Sequence, residues 1–178
     1  MWTVNSNAIP VTLTKLSLCP ILTNINLLYI ESKGIFMENN IEIKTYYTLP
    51  EDAVLIRQSV FVVEQGFNEE FDSVDHDAVH LVLYNDGVPA ATCRFFKDKE
   101  AGTYIIGRIA VMKAYRGKNL GSFILERAGQ LIKKAGGKKI CLHSQKRVKD
   151  FYEKQGYHMY GKEDLDEGCP HIWMCKGI

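Results

Sequence analysis

Two glycines and two cations are clustered at Arg116, Gly117, Lys118 and Gly121. An apolar, strand-like run precedes them and an amphipathic, helix-like run follows, so they lie where a strand passes into a helix. The N-terminus of a helix presents unpaired backbone N–H groups and a partial positive charge, and both suit a phosphate. The segment 115–122 therefore predicts a cradle for the pyrophosphate of a nucleotide-like ligand.

Three interpretations of this loop compete. A P-loop requires the pattern G-x-x-x-x-G-K-[ST], which the sequence does not contain. A Rossmann fingerprint requires G-x-G-x-x-G near the first strand, whereas Gly117 and Gly121 have no third glycine at the required place and come after a meander of three strand-like runs. A glycine-rich helix entry without a ligand is the third interpretation. The pattern that remains is R-G-x-x-[LIV]-G between a strand and a helix.

The elements that must position this loop are regular from Ile41 onward. Helices are expected from Pro50 to Gly66, from Ser122 to Ala135 and from about Val148 to Lys154. A strand–helix–strand order around the second helix implies a right-handed crossover and a parallel strand pair. We therefore expect an α/β (α+β) fold, a mixed and mostly antiparallel sheet flanked by helices. The predicted strands are 41–46, 80–84, 90–96, 103–111, 140–144 and a last strand that includes 172–175.

Composition excludes several other classes of protein. The chain has 178 residues, a net charge of +1 and 24% charged residues, so nothing indicates binding to nucleic acid or to an acidic membrane surface. The five cysteines, at positions 19, 93, 141, 169 and 175, form no C-x-x-C pair. We therefore expect reduced thiols, no disulfide framework, no bound metal and a cytoplasmic location.

The first thirty-six residues differ from the rest. They carry three charged side chains, and Pro20, Asn24 and Asn26 interrupt the apolar stretch, which matches neither a secretory signal nor a membrane span. Met37 is followed by a sequence typical of a protein start. We expect residues 1–36 to be an appendage and residues 37–178 to form the domain; the alternative is an extra strand or helix that packs on the domain.

A second motif agrees with the loop. Asp150 to Tyr157 reads D-F-Y-E-K-Q-G-Y, and together with the R-G-x-x-[LIV]-G loop it is similar to the GNAT N-acetyltransferase superfamily over about residues 41–178. That resemblance implies a sheet whose fourth and fifth strands splay apart, with acetyl-CoA in the gap. It implies that Tyr152 protonates the departing thiolate, although Tyr152 as a core aromatic is the alternative. The implied coenzyme-binding residues are Ile109, Ala110, Val111, Arg116, Gly117, Lys118, Asn119, Leu120, Gly121 and Ser122.

Two further segments narrow the resemblance to one branch of the superfamily. The string from Ile56 to Gly66 and the ending G-C-P-H-I-W-M at Gly168 to Met174 resemble the ElaA/YjcF-like branch, with Cys169 where isoleucine is usual. The R-x-x-V-F segment and the acids that follow also resemble acyl-homoserine-lactone synthases. The resemblance implies an acceptor side formed by Arg57, Glu64, Asp75, His80 and His171.

Acetyl transfer to an amine needs a base, because a free alkyl ammonium has a pKa near ~10. His143 and Glu64 are the first candidates, beside Asp75 and His80; each could equally be an ordinary strand histidine or surface carboxylate. The sequence thus predicts an acetyl-CoA-dependent N-acetyltransferase acting on a primary amine of a small molecule or peptide. The alternatives are a non-catalytic acyl-CoA sensor and, less favoured, a lactone-synthase-like acyltransferase. A homodimer is one assembly that the resemblance leaves open.

Overall fold

The structure is a computed structural model that describes residues 40–68 and 70–178. A seven-stranded mixed sheet forms its centre, with the strand order β1-β2-β3-β4-β5-β7-β6. This confirms the predicted fold class. The expectations for residues 1–36 lie outside the described residues. The strands are β1 Ile41–Tyr46, β2 Val79–Asn85, β3 Val88–Lys97, β4 Thr103–Val111, β5 Lys139–Gln145, β6 His158–Asp166 and β7 Cys169–Gly177.

The helices lie close to their predicted positions. Helix α1, Glu51–Arg57, has Pro50 before it and acids in its first turn, and it continues as a π-helix over Gln58–Glu64. Helix α2, Leu120–Lys134, begins two residues earlier than predicted, and helix α3 covers Lys149–Lys154. The segment before β2 contains a 3-10 turn over Ser73–His76.

Strands β4 and β5 are joined over a short seam and then separate. Their parallel pairing involves Thr103 with Lys139, Tyr104 with Ile140 and Ile105 with Cys141. Beyond that point β4 continues to Val111 while β5 continues without a partner on that side. The seam links an antiparallel half, β1 to β4, to a second half formed by β5, β7 and β6. The predicted splay is therefore present, and it leaves backbone groups of β4 facing a gap.

A β-bulge bends β4 at the level of this gap. The register with β3 pairs Arg94 with Gly107 but Thr92 with Ala110, so β4 carries one extra residue between them. Arg108 takes up the bulge with a φ of 52°. A positive φ in a non-glycine residue is uncommon, and bulges re-aim side chains next to functional sites. The bulge directs the end of β4 into the splay.

The two faces of the sheet are covered differently. The larger core lies on the side of α2 and α3 and includes Leu81, Ile106, Ile124 and Leu142. A smaller core lies under α1 and includes Ile56 and Val82, with further members Ala53, Val60, Tyr84 and Ala110. The splay therefore opens a passage from the face of the sheet covered by α2 to the face covered by α1.

The cysteine prediction needs correction. Cys141 and Cys175 are directly opposite each other on β5 and β7, and the structure joins them in a disulfide. Cross-strand neighbours separated by 34 positions give no signal in a search for C-x-x-C spacing. Cys93 is a buried free thiol whose pKa is raised by burial, and Cys169 is a partly exposed free thiol. A fully reduced set of thiols is therefore not what the structure shows.

Across the described ranges, no helix has the length and apolar character needed to cross a membrane. The same part of the chain contains no group of three or more His, Cys, Asp or Glu side chains placed to hold a metal ion.

Candidate active site

A cleft of about 1100 Å³ runs through the splay between β4 and β5. Its coenzyme side is lined by Ile109, Ala110 and Val111 of β4, by the loop before α2, and by Tyr152 of α3. Its other side is lined by the π-helix, by the segment that follows it, and by His143 and His171. Most of the predicted site residues are thus brought together in one cavity.

The backbone of the loop before α2 is arranged for an anion. Gly117 and Asn119 have φ values of 79° and 60°, so successive N–H groups turn toward one side. The amides of Ser122 and Phe123 bond to the carbonyl of Asn119 at 3.1 and 3.2 Å. The amides of residues 117–121 make no backbone hydrogen bond within the described ranges. These donors, at the N-terminus of a fifteen-residue helix, fit a pyrophosphate.

Only one of the two loop glycines is required by its backbone conformation. Gly117 has open space where a Cβ would point, so its requirement is the positive φ. A Cβ on Gly121 would lie 3.4 Å from the Phe151 ring, which is an ordinary contact, so space does not exclude a side chain there. The Lys118 ammonium lies over the Tyr115 ring at 5.2 Å, and its side chain does not line the cleft. Lys118 therefore contributes its backbone to the cradle.

Arg116 has a different partner from the predicted phosphate. Its two terminal nitrogens donate to both carboxylate oxygens of Glu64 at 2.7 and 2.8 Å, and its Nε donates to the carbonyl of Val111 at 3.1 Å. The hydrogen bond from Arg116 is the main reason why the pKa of Glu64 lies below its usual value. A carboxylate that is paired and acidic is a poor base, so the geometry speaks against Glu64 as the proton acceptor.

Tyr152 lies on α3 with its side chain in the cleft lining and 7% of its surface exposed. Its ring packs edge-on against Phe151 at 5.0 Å and Tyr157 at 6.1 Å. Burial raises the pKa of the phenol, which keeps it protonated at neutral pH. No described residue accepts a hydrogen bond from this hydroxyl, which leaves it available as a proton donor.

His143 and His171 lie on the other side of the cleft, on neighbouring strands. Nε2 of His143 is 2.7 Å from a carboxylate oxygen of Asp164. Nδ1 of His171 donates to the carbonyl of Cys169 at 2.8 Å. The two imidazoles contact each other at a tilt of 35° with centroids 4.8 Å apart, and Trp173 stacks on His143, also at 4.8 Å. Each histidine thus has one nitrogen anchored and one without a described partner.

Six charged side chains form a closed ring of alternating charge beneath the acceptor side, which we call the ion ring. Arg57 pairs with Glu70 at 2.6 Å and with Asp75 at 2.7 Å. Arg94 pairs with Asp75 and Asp72 at 2.7 and 2.6 Å, and Arg108 closes the ring through Asp72 and Glu70 at 3.2 and 3.1 Å. The ring ties the segment after the π-helix to α1, β3 and β4.

The ion ring corrects part of the acceptor prediction. Arg57 is 1% exposed, Asp75 is 5% exposed and His80 is 1% exposed, and none of them lines the cleft. Nε2 of His80 donates to the backbone carbonyl of Asp75 at 3.0 Å, and burial lowers the pKa of His80. These three side chains are buried behind the surface of the cleft. His171 and Glu64 do line the cleft.

Sequence reasoning missed several cleft residues. Arg94 and Arg108 were not singled out, although arginines on a strand that borders a coenzyme gap are a usable signal. Asp164 lies on β6, which was not predicted because all nine of its residues are exposed and no apolar alternation marks it. Four phenylalanines of the acceptor side were also passed over, because isolated aromatics usually indicate core.

A mixed sheet that opens between two parallel strands, with an anion cradle at the next helix, defines a class of acyl-coenzyme A transferases. The domain family described as Acetyltransferase (GNAT) domain matches residues 49–178. The chain therefore belongs to the GNAT acetyltransferase family and is an acyltransferase. Members of this family use acetyl-CoA or another acyl-CoA.

Individual relatives agree with this assignment. The uncharacterized N-acetyltransferase YjcF of Bacillus subtilis (strain 168) is 33% identical over 130 residues, which cover 71% of this chain and 91% of YjcF. A crystal structure of an acyl-CoA N-acyltransferase from Pseudomonas aeruginosa superposes with a TM-score of 0.68 at 28% identity, covering 78% of this chain and 99% of that one. Escherichia coli ElaA, at 23% identity, gives a TM-score of 0.68 with the same coverage and supports the fold. The ElaA/YjcF-like branch is consistent with both.

Proposed function

We propose that this enzyme transfers an acetyl group from acetyl-CoA to a primary amine by direct attack, without an acyl-enzyme. The observation that carries the proposal is the position of Tyr152. Its unpartnered, protonated hydroxyl shares one cleft with the free amides of residues 117–121 and with a pair of anchored histidines. An acid, an anion cradle and a base are the three parts that acetyl transfer to an amine requires.

The loop amides and the splayed end of β4 would hold the coenzyme. The N–H groups of residues 117–121 fit the pyrophosphate, and backbone groups of residues 109–111 fit the amide-bearing arm. The bound thioester supplies the activated acetyl group. Tyr152 donates its proton to the sulfur as the carbon–sulfur bond breaks, and burial keeps the phenol in the protonated form that this step needs.

His143 is the base that the geometry favours. Asp164 accepts a hydrogen bond from Nε2, which fixes the tautomer and leaves Nδ1 with its lone pair. Nδ1 then takes the proton from the attacking amine. His171, whose ring contacts that of His143, lines the acceptor side of the cleft. Asp164 acts here as a positioning residue.

The function is tested in two steps. Acetyl-CoA should raise the melting temperature of the protein, whereas ATP and NAD should not, because the loop lacks the patterns those ligands need. A panel of primary amines is then screened for release of free coenzyme A. Binding of acetyl-CoA without release for any amine would favour the acyl-CoA sensor instead, and absence of binding would overturn the proposal.

A further inference from the structure

The acceptor side of the cleft is lined by Phe61, Phe67, Phe71 and Phe96, which we call the aromatic wall. None of the four is fully buried, and Phe71 is 42% exposed. Burying apolar surface is favourable by about 25 cal/mol per Å². Four partly exposed phenyl rings in one cleft therefore indicate a ligand that brings apolar surface of its own.

The wall leads to the proposed base. Phe61 and Phe67 meet edge to face at 6.5 Å, Phe67 meets His171 in the same way at 6.4 Å, and His171 meets His143 in a tilted contact at 4.8 Å. Aromatic rings prefer such edge-to-face and offset contacts. A flat apolar group that continues this series of contacts places an attached amine beside the imidazole of His143.

The position of the wall separates it from the coenzyme. The cradle and the residues of β4 that fit the coenzyme lie on the α2 side of the splay. The wall is built from the π-helix, from the segment after it and from β3. The ion ring fixes this segment, since Arg57 stacks on Phe71 at 4.7 Å while it binds Glu70 and Asp75. The ion ring therefore holds the aromatic wall in a fixed position.

The charges of the cleft limit the acceptor to few ammonium groups. Five carboxylates line it, and four of them are engaged: Glu64 with Arg116, Glu70 and Asp72 in the ion ring, and Glu167 with Asn68. The carboxylate of Asp166 alone makes no hydrogen bond or ion pair with another residue of the described ranges. One free carboxylate matches one ammonium, and a polyamine would leave charges without partners.

We propose that the acceptor is a monoamine whose amine is carried by an aromatic or similarly flat apolar body. This inference rests on the proposed acetyl transfer to an amine. It assigns the aromatic wall to the body of the acceptor and Asp166 to its ammonium group before deprotonation.

A matched pair of amines tests the wall directly. In 2-phenylethylamine a phenyl group replaces the hydroxyl of ethanolamine, and the amine is otherwise the same. The value of kcat/KM for coenzyme A release should be at least tenfold higher with 2-phenylethylamine, and higher than with spermidine or glucosamine. Equal or better rates with ethanolamine, spermidine or glucosamine would overturn the inference and leave the proposed function standing.

Variants identify the surface that is responsible. Phe67→Ala should raise KM for 2-phenylethylamine about tenfold with coenzyme affinity unchanged, and Phe67→Tyr, which keeps the ring, should restore it. Phe123→Ala is the matched control, because Phe123 is 43% exposed on α2 outside the cleft. An unchanged KM in a Phe67→Ala protein that melts like the wild type would contradict the assignment.

Measurements of amine binding distinguish this inference from the proposed function on which it rests. With coenzyme A present, 2-phenylethylamine should raise the melting temperature and ethanolamine should not, whether or not turnover occurs. Selective binding without coenzyme A release from acetyl-CoA would support the aromatic wall and overturn the catalytic proposal. No difference between the two amines would overturn the wall itself.

Discussion

The carboxylate of Glu64 and the guanidinium of Arg116 are joined by two parallel hydrogen bonds, at 2.7 and 2.8 Å, across the mouth of the cleft. Glu64 ends the π-helix of the acceptor side, and Arg116 opens the coenzyme loop. With its Nε on the carbonyl of Val111, Arg116 has no edge left for a phosphate. The carboxylate of Glu64 therefore competes with the pyrophosphate for Arg116.

Replacing Glu64 tests this competition. Glu64→Gln removes the charge that holds Arg116, so we expect acetyl-CoA to bind several-fold more tightly, whereas Arg116→Gln should change binding little because Glu64 already engages this side chain. Isothermal titration calorimetry measures both dissociation constants. Glu100→Gln, which breaks an exposed pair with Lys139, is the control. Weaker binding by Glu64→Gln would show that the pair supports the loop instead.

Tyr152→Phe should reduce kcat about 100-fold while the dissociation constant for acetyl-CoA stays within a factor of two, because only the proton donor is lost. Steady-state kinetics and calorimetry measure the two quantities. Tyr157→Phe is the matched control, since Tyr157 is a neighbouring buried tyrosine whose hydroxyl has no hydrogen-bond partner. That control should keep its activity and gain stability by roughly 1 kcal/mol. Normal turnover in Tyr152→Phe would remove the tyrosine from catalysis.

His143→Gln should lower kcat/KM for the amine by about 100-fold while the dissociation constant for acetyl-CoA stays within a factor of two, because only the proton acceptor is lost. Asp164→Asn should give a smaller loss, since it alters the anchored nitrogen alone. Steady-state kinetics and calorimetry measure these quantities. An unchanged kcat/KM in His143→Gln would assign the base to another residue, with His171 next to be tested.

The ion ring predicts an acid-sensitive stability. Burial alone would raise the pKa of Asp75, but hydrogen bonds from Arg57 and Arg94 outweigh burial and hold the pKa well below its usual range. A depressed folded-state pKa gives stability that is present above about pH 4 and is lost as the pH falls further. Glu70 has the opposite effect on stability. Burial raises its pKa, so its contribution becomes less favourable as the pH rises.

Asp75→Asn should therefore cost about 3–5 kcal/mol at pH 7, since two buried arginines lose a charged partner. The same substitution should flatten the decline of stability below pH 4. Urea unfolding at pH 7 and pH 3 measures both quantities. If the stability of Asp75→Asn fell as steeply below pH 4 as that of the wild type, the acid sensitivity would originate in groups other than Asp75.

The sequence was informative where a local pattern determines the structure. The predicted strands 80–84 and 90–96 lie within β2 and β3, and the glycine spacing at Gly117 and Gly121 identified the loop. Periodicity located the helix from Leu120 onward, with an error of two residues. Each of these features depends on residues a few positions apart, and such features are readable from one chain.

The remaining features depend on distant partners. The ion ring joins residues 13 to 38 positions apart, so the roles of Arg57 and Asp75 could not be separated from acceptor binding by inspection. Glu64 and Arg116 are 52 positions apart. The bulge at Arg108 follows Gly107, but an isolated glycine inside a strand only suggests a bulge and does not establish the register. Only tertiary packing determines which of these charges face each other and which face the cleft.

The short seam between β4 and β5 has a consequence for how the protein opens. Three residue pairs join the two halves of the sheet, so amide hydrogen exchange should divide the strands into two protection groups. A coenzyme held by the β4 backbone and by the loop that leads to α2 and β5 would connect both halves. The acetyl donor then acts as a missing structural element, and its binding should merge the two groups into one cooperative unit.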